Sequence, residues 1–141
     1  QSNEDLAGKT VVTQADSSAL TALTSEEDNE ENLALAASFA SLEQVPDYNT
    51  AFMNLESGMA DAIAVDIGVA QYQLDSRDGV FRMLEEPLST EQYAIGFALG
   101  NEALRDQVQE VLNEMVEDGT FMTIAEKYSD YNLDQMVCLG K

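Results

Sequence analysis

Short apolar strands, polar turns and helices alternate along this sequence, and this alternation limits the folds that the chain can adopt. The β-branched run Thr10–Gln14 has the length and composition of a strand. A small polar turn follows at 15–18, and apolar residues then recur at helical spacing. Residues 61–65 are nearly all apolar and are followed by Asp66. Such a run without alternation predicts a strand buried on both faces, as in a parallel sheet covered by helices.

The remaining elements follow from local start and stop signals. Pro46 ends a second predicted strand, Asn49 is the predicted cap of the next helix, and Gly58 is its predicted stop. In chain order, the pattern predicts a turn or short helix at 5–8, a strand within 38–44, a helix at 67–76, strands at 80–84 and 93–99, a helix from Asn101 to Asp118, and a last helix from Thr120.

These alternating elements with short connections predict an α/β fold with a mainly parallel sheet. The pattern breaks at the polar, proline-containing link 85–90, where a boundary is expected. The length of 141 residues matches about one domain, and the 45% apolar content is enough for a core.

The net charge and the residue types that the sequence lacks exclude several classes of function. Six Lys and Arg against 27 Asp and Glu give a net charge of −21, which excludes a nucleic-acid-binding surface. The chain has no His, so nucleophile relays and metal sites that depend on imidazole are excluded. The single Cys138 excludes an internal disulfide. No run of 18 or more apolar residues is present to cross a bilayer.

A run of carboxylates at 26–31 is the most acidic segment of the chain. It lacks the spaced Asp, Asn and Gly of a calcium loop, so a solvated helix surface or loop is expected there rather than a metal site.

Two candidate binding positions follow strands directly, where ligands usually bind in an open parallel sheet. After the first strand, Gln14 to Ser18 present hydroxyls at a helix start, which suits a carboxylate. After the run 61–65, Asp66 is placed to hold an ammonium group. Together they would suit a zwitterion. The alternative is that Ser17 or Ser18 only caps its own helix and that Asp66 caps the next one.

Four ordered segments resemble the polar amino-acid-binding proteins of ABC importers. They are DLAGKTVVTQADSSA at 5–19, LESGMADAIAVD at 55–66, EPL at 86–88 with YAIGF at 93–97, and residues 104–105 with EDGTF at 117–121 and IAEKY at 124–128. The second segment matches that family's pattern L-x-x-G-x-x-D-A-x-x-x-D. The similarity covers nearly the whole chain.

The resemblance implies a lobe of a type II periplasmic-binding-protein fold, with 3–91 as the second, ligand-binding lobe and 92–141 as the C-terminal part of the first. It implies that Ser17 and Ser18 bind the α-carboxylate of an L-amino acid, that Asp66 binds the α-ammonium group, and that Gln14 lies near the ligand side chain. No cofactor, metal or catalytic residue is implied. Asp16 departs from the usual Gly, and we expect it to adopt the left-handed backbone with its side chain facing away.

The resemblance further implies a binding protein that lies outside the cytoplasm, either in the periplasm or as a cell-surface lipoprotein of a bacterium. Such a protein delivers its ligand to an ABC importer permease. The chain begins at the equivalent of the second lobe, so it is expected to be a fragment, and no arginine in it matches the family's arginine clamp. Exposed apolar surface then predicts a homodimer, exchange of the C-terminal segment, or disorder there. A dehydratase-like enzyme on the same fold and the sensor domain of a signalling receptor remain alternatives.

Overall fold

The computed structural model describes residues 2–25, 30–131 and 133–139. It divides into two compact units, Gln1–Thr90 and Glu91–Lys141, and each unit is described by itself below. No helix of the described ranges is long and apolar enough to cross a membrane. Residues 26–29, the larger part of the predicted carboxylate run, lie outside the described residues, and 30–31 begin a helix.

The first unit is built on a three-stranded parallel sheet with strand order β2-β1-β3. The strands are β1 (Thr10–Gln14), β2 (Ser41–Val45) and β3 (Ala62–Ala64). β1 lies in the centre, with Val11 opposite Leu42 on one side and opposite Ala62 on the other. This arrangement confirms the predicted α/β class and its parallel sheet.

Four helices connect or follow these strands. They are α1 (Ser18–Thr24), α2 (Glu30–Ser38), α3 (Tyr48–Ser57) and α4 (Ile67–Ser76), and a 3₁₀ turn at Asn3–Leu6 precedes β1. The cap predicted at Asn49 is wrong. Asp47 caps α3 instead by accepting the Thr50 N–H at 2.9 Å, because it lies three residues before that amide. Gly58 ends α3 in the left-handed conformation, at φ 77°, as predicted.

The two faces of the sheet bury separate apolar clusters. On one face, Val11 and Leu23 of α1 pack with Ala64, and residues of α2 lie against them. On the other face, Val12 packs with Ala51 of α3. Because successive strand residues point to opposite faces, the adjacent valines of β1 supply one side chain to each cluster.

The expectation that residues 61–65 form the fully buried strand is wrong. β3 is a three-residue edge strand in which only Ala64 is buried, whereas Val11, Val12 and Thr13 of β1 are all at most 2% exposed. A central strand is covered on both faces and has a neighbour on each side. The fully buried central strand is therefore β1 and not the apolar run at 61–65.

The strand predicted at 80–84 does not form. A turn ends at Val80, whose N–H donates to the carbonyl of Arg77 at 3.1 Å. Phe81 then packs on Phe52 of α3 with ring centroids 5.4 Å apart, and the Arg77 guanidinium lies over the Phe81 ring. Here an aromatic contact with a helix holds the segment, and no strand pairing is made.

The second unit is helical in its described part. α5 (Glu102–Glu117) begins after Asn101, α6 (Thr120–Glu126) follows Gly119, and a 3₁₀ turn at Ser129–Tyr131 leads to the short α7 (Leu133–Met136). Asn101 holds the predicted N-cap position but makes no capping hydrogen bond with its side chain. Cys138 is exposed and free.

The buried strand predicted at 93–99 is absent from this unit. Ile95 is 60% exposed and Leu99 is fully exposed. A strand needs a neighbour to satisfy its backbone N–H and C=O groups. Within the described residues, every strand belongs to the sheet of the first unit, so this segment has no ladder to join.

Candidate functional site

The turn after β1 is shaped by one left-handed residue and one helix cap. Asp16 has a φ of 57° and is exposed, in agreement with the expected turn. Ser17 is the N-cap of α1, and its Oγ accepts the N–H of Leu20 at 3.1 Å. Ser18 is the first residue of α1 and is exposed. The first N–H groups of this helix lack backbone partners within the helix, and that of Leu20 is taken by the Ser17 cap.

Asp66 is the N-cap of α4. Its Oδ1 accepts the N–H of Gly68 at 2.8 Å and that of Val69 at 3.4 Å. The residue is half-buried. A Cβ added at Gly68 would approach Asp66 Oδ1 to 3.1 Å, so the glycine leaves the room in which the carboxylate sits. Capping and ligand binding are compatible roles, because a carboxylate has two oxygens and about four acceptor positions.

The parallel register brings these two caps to one edge of the sheet. Thr13 pairs with Ala64, so the turn after β1 and the residues after β3 leave neighbouring strands at the same level. The helices after β1 cover one face, whereas α3 covers the other. Ligands in open α/β sheets bind outside the carboxyl ends of the strands. The structure therefore places Ser17, Ser18 and Asp66 at one such edge.

Gln14 ends β1 on the side of β2. Its Nε2 donates to the carbonyl of Pro46 at 3.4 Å, and the following N–H, from Ala15, donates to Val45 at 2.9 Å. The side chain is half-buried. Gln14 therefore borders the same turn, with its amide directed toward the end of β2.

Thr13 is a site residue that sequence reasoning missed. Its side chain is fully buried, its Oγ1 donates to the carbonyl of Ala64 at 2.9 Å, and it lies 3.3 Å from Ser17 Oγ. A threonine between Val12 and Gln14 reads as an ordinary strand residue. Only the pairing of β1 with β3 shows that its hydroxyl lies between the two candidate loops.

The opposite edge of the sheet has a structural role. Asp61 accepts the Thr10 N–H at 2.9 Å and lies 3.6 Å from Lys9 Nζ, and its own N–H donates to the Thr10 carbonyl. These contacts fasten the start of β1 to the chain before β3. Asp61 and Asp66 therefore stand at opposite ends of β3. In the ranges that the structure describes, no group of three or more Asp, Glu or Cys side chains is placed to hold a metal ion.

No protein-family model matches the chain. The ABC transporter glutamine-binding protein GlnH of Bacillus subtilis (strain 168) is 28% identical over 98 residues, which are 70% of this chain and 36% of that protein. An ancestral arginine-binding protein bound to glutamine has a TM-score of 0.71 and 30% identity, over 90% of this chain and 52% of that one. An ancestral arginine-binding protein bound to arginine has a TM-score of 0.70 and 29% identity, over 90% of this chain and 53% of that one.

These relatives are binding proteins rather than enzymes, which agrees with the prediction that the chain performs no catalysis. The chain spans between about a third and a half of their lengths. The sequence similarity covers 70% of this chain and the structural similarity covers 90% of it. The chain is thus similar to the polar amino-acid-binding proteins of ABC importers, as its sequence segments indicate.

Proposed function

We propose that this chain forms the ligand-binding lobe and part of the partner lobe of a protein that binds a polar L-amino acid outside the cytoplasm and delivers it to an ABC importer permease. Residues 3–91 are the ligand-binding lobe in this proposal, and 92–141 belong to the other lobe. The relatives, which include proteins bound to glutamine and to arginine, support an amino acid as the ligand.

The observation that carries the proposal is the meeting of two chemically complementary loops at one edge of the sheet. The turn at 15–18 presents N–H groups and the Ser18 hydroxyl, which suit a carboxylate. Asp66 supplies a carboxylate, which suits an ammonium group. The register of Thr13 with Ala64 sets these loops side by side. An α-amino acid carries both groups on one carbon, so it can bridge the loops.

Ser17 takes part in this proposal through its backbone. Its hydroxyl already accepts the Leu20 N–H and lies against Thr13. Ser18 is exposed and offers its hydroxyl directly. Gln14, at the end of β1, is placed to contact a ligand side chain that extends toward β2.

A thermal-shift screen of the full-length protein against the twenty L-amino acids tests the proposal. Saturable stabilisation by one or a few polar amino acids is expected, because a ligand that binds only the folded state raises its stability. Prephenate and arogenate belong in the same screen, with product analysis. No shift from any amino acid, or consumption of either added acid, would contradict the proposal and favour a sensor or an enzyme.

A further inference from the structure

A line of two hydrogen-bonded hydroxyls, the buried one of Thr13 and the half-buried one of Ser17, joins the two halves of the proposed ligand edge. We infer that Thr13 is a positioning residue that fixes the turn at 15–18 relative to the segment carrying Asp66, and so sets the separation of the carboxylate and ammonium subsites. This inference rests on the proposed function. Thr13 itself is fully buried and touches no ligand in this account.

The direction of the hydrogen bonds follows from counting protons. The Ala64 carbonyl can only accept, so the single hydroxyl proton of Thr13 points to it, at 2.9 Å. The Leu20 N–H can only donate, and it points to Ser17 Oγ at 3.1 Å. The remaining contact, 3.3 Å between the two hydroxyl oxygens, then requires Ser17 to donate to Thr13. Each hydroxyl in the line donates one proton and accepts one.

This line spans from the first turn of α1 to β3. One end is Leu20, whose position fixes the turn that holds Ser17 and Ser18. The other end is Ala64, two residues before Asp66. Ser17 uses its only proton on Thr13, so the hydroxyl is committed to holding the turn and is withheld from a ligand. The carboxylate subsite is therefore assigned to the turn's backbone and to Ser18.

The chain offers a matched control in the same strand. Thr10 stands at the other end of β1, where its hydroxyl accepts a hydrogen bond from Ser41 Oγ at 3.3 Å. That contact fastens β1 to β2, far along the strand from the proposed ligand edge. Thr10→Val and Thr13→Val thus remove the same group from one strand, but only the second breaks the line between the subsites.

The test measures affinities of the full-length protein for L-glutamine and L-arginine by calorimetry, with the unfolding temperature of each variant. Thr13→Val is expected to weaken binding about tenfold, because losing both hydrogen bonds of its hydroxyl frees the turn at 15–18 from β3, and one net hydrogen bond corresponds to about that factor. Thr13→Ser, which restores the hydroxyl, is expected to recover the affinity, and Thr10→Val is expected to bind like wild type. Equal affinities for Thr13→Val and wild type would overturn the inference, as would equal losses in Thr10→Val and Thr13→Val.

A double-mutant cycle separates positioning from general destabilisation. Ser17→Gly breaks the same line at its other hydroxyl, and glycine is tolerated at an N-cap. Combining it with Thr13→Val is expected to add no further loss of affinity, since either change alone breaks the line. Losses that multiply would overturn the inference. If Thr13→Val does not fold, Ser17→Gly alone is expected to show the tenfold loss, and full affinity would overturn it.

The wild-type measurement separates a failure of the proposed function from a failure of the inference about Thr13. A wild-type protein that binds none of the twenty L-amino acids contradicts the proposed function and the inference with it. A wild-type protein that binds, with a Thr13→Val variant that binds equally well, contradicts the inference alone.

Discussion

The two units of this molecule differ in whether their extended apolar segments pair with a strand and become buried. In the first unit, β1 pairs on both sides and buries Val11, Val12 and Thr13. In the second, the segment 93–99 is richer in apolar residues than β1, yet Ile95 and Leu99 are exposed. The comparison teaches that an apolar run specifies a strand only where another strand is available to pair with it, whereas the helices of both units form from local signals.

The largest expected difference between the units comes from removing the same side chain in each. Leu23→Ala empties a site that is 1% exposed between α1 and β1, so it is expected to lower the free energy of unfolding by about 2–5 kcal/mol. Leu99→Ala removes a fully exposed side chain and is expected to change it by less than about 0.5 kcal/mol. Urea unfolding checks both. Equal effects would mean that 93–99 is packed in solution.

Self-association of the isolated chain is the second expected effect. The exposed apolar residues of the second unit, Tyr93 and Ile95 among them, form surface that water solvates poorly. We expect light scattering with size-exclusion chromatography to show a dimer, and Ile95→Asp to shift it toward monomer. Met59→Asp is the control, because Met59 is 66% exposed but lies in the first unit. A strictly monomeric chain with an ordered C-terminal segment would refute this prediction.

The N-caps of α1 and α5 are expected to differ by a smaller amount of stability. The Ser17 side chain accepts a capping hydrogen bond, whereas Asn101 holds the equivalent position of α5 without one. Ser17→Ala is expected to cost about 1 kcal/mol of stability, and Asn101→Ala clearly less. Thermal unfolding of the two variants measures the difference. A larger loss in Asn101→Ala would show that its amide caps α5 in solution.

The smallest expected effect is a dependence of stability on acid. The N–H of Thr50, together with its hydroxyl, holds the pKa of Asp47 below its ordinary value of 3.8. A lowered pKa in the folded state means that the cap's contribution is present above 3.8 and is lost as the pH falls through the folded-state pKa. Asp47→Asn should remove that part of the acid dependence, as judged by unfolding temperature against pH. An unchanged profile would contradict the assignment.

Most of the first unit could be predicted from local chemistry. β1, the turn with Ser17, the Gly58 stop and the start of α4 at Asp66 are all set by residues within a few positions of each other. The cap of α3 was misplaced by two residues because Asp47 and Asn49 are both good caps, and the geometry at Thr50 decides between them.

What could not be predicted depends on long-range pairing. Residues 80–84 have strand composition, but Phe81 packs on the Phe52 ring of α3 and the segment pairs with no strand that the structure describes. The role of Thr13 depends on which strand lies beside β1, and no local signal carries that information. Local signals therefore predict that Ser17, Ser18 and Asp66 follow strands. They do not predict the hydrogen bonds by which Thr13 joins Ser17 to Ala64.

We propose that the edge at the ends of β1 and β3 binds an amino acid through opposite charges, and the two aspartates that flank β3 test this proposal. Asp66→Asn retains an oxygen to cap α4 but loses the charge, and Asp61→Asn makes the same change at the opposite end of the strand, where its contacts are to Thr10 and Lys9.

Calorimetric titration of the full-length protein and both variants with L-glutamine and L-arginine is the deciding measurement. We predict that Asp66→Asn weakens binding by roughly 30-fold or more, because the ammonium group loses its counter-charge, and that Asp61→Asn binds like wild type. Wild-type affinity in Asp66→Asn, or an equal loss in Asp61→Asn, would contradict the account.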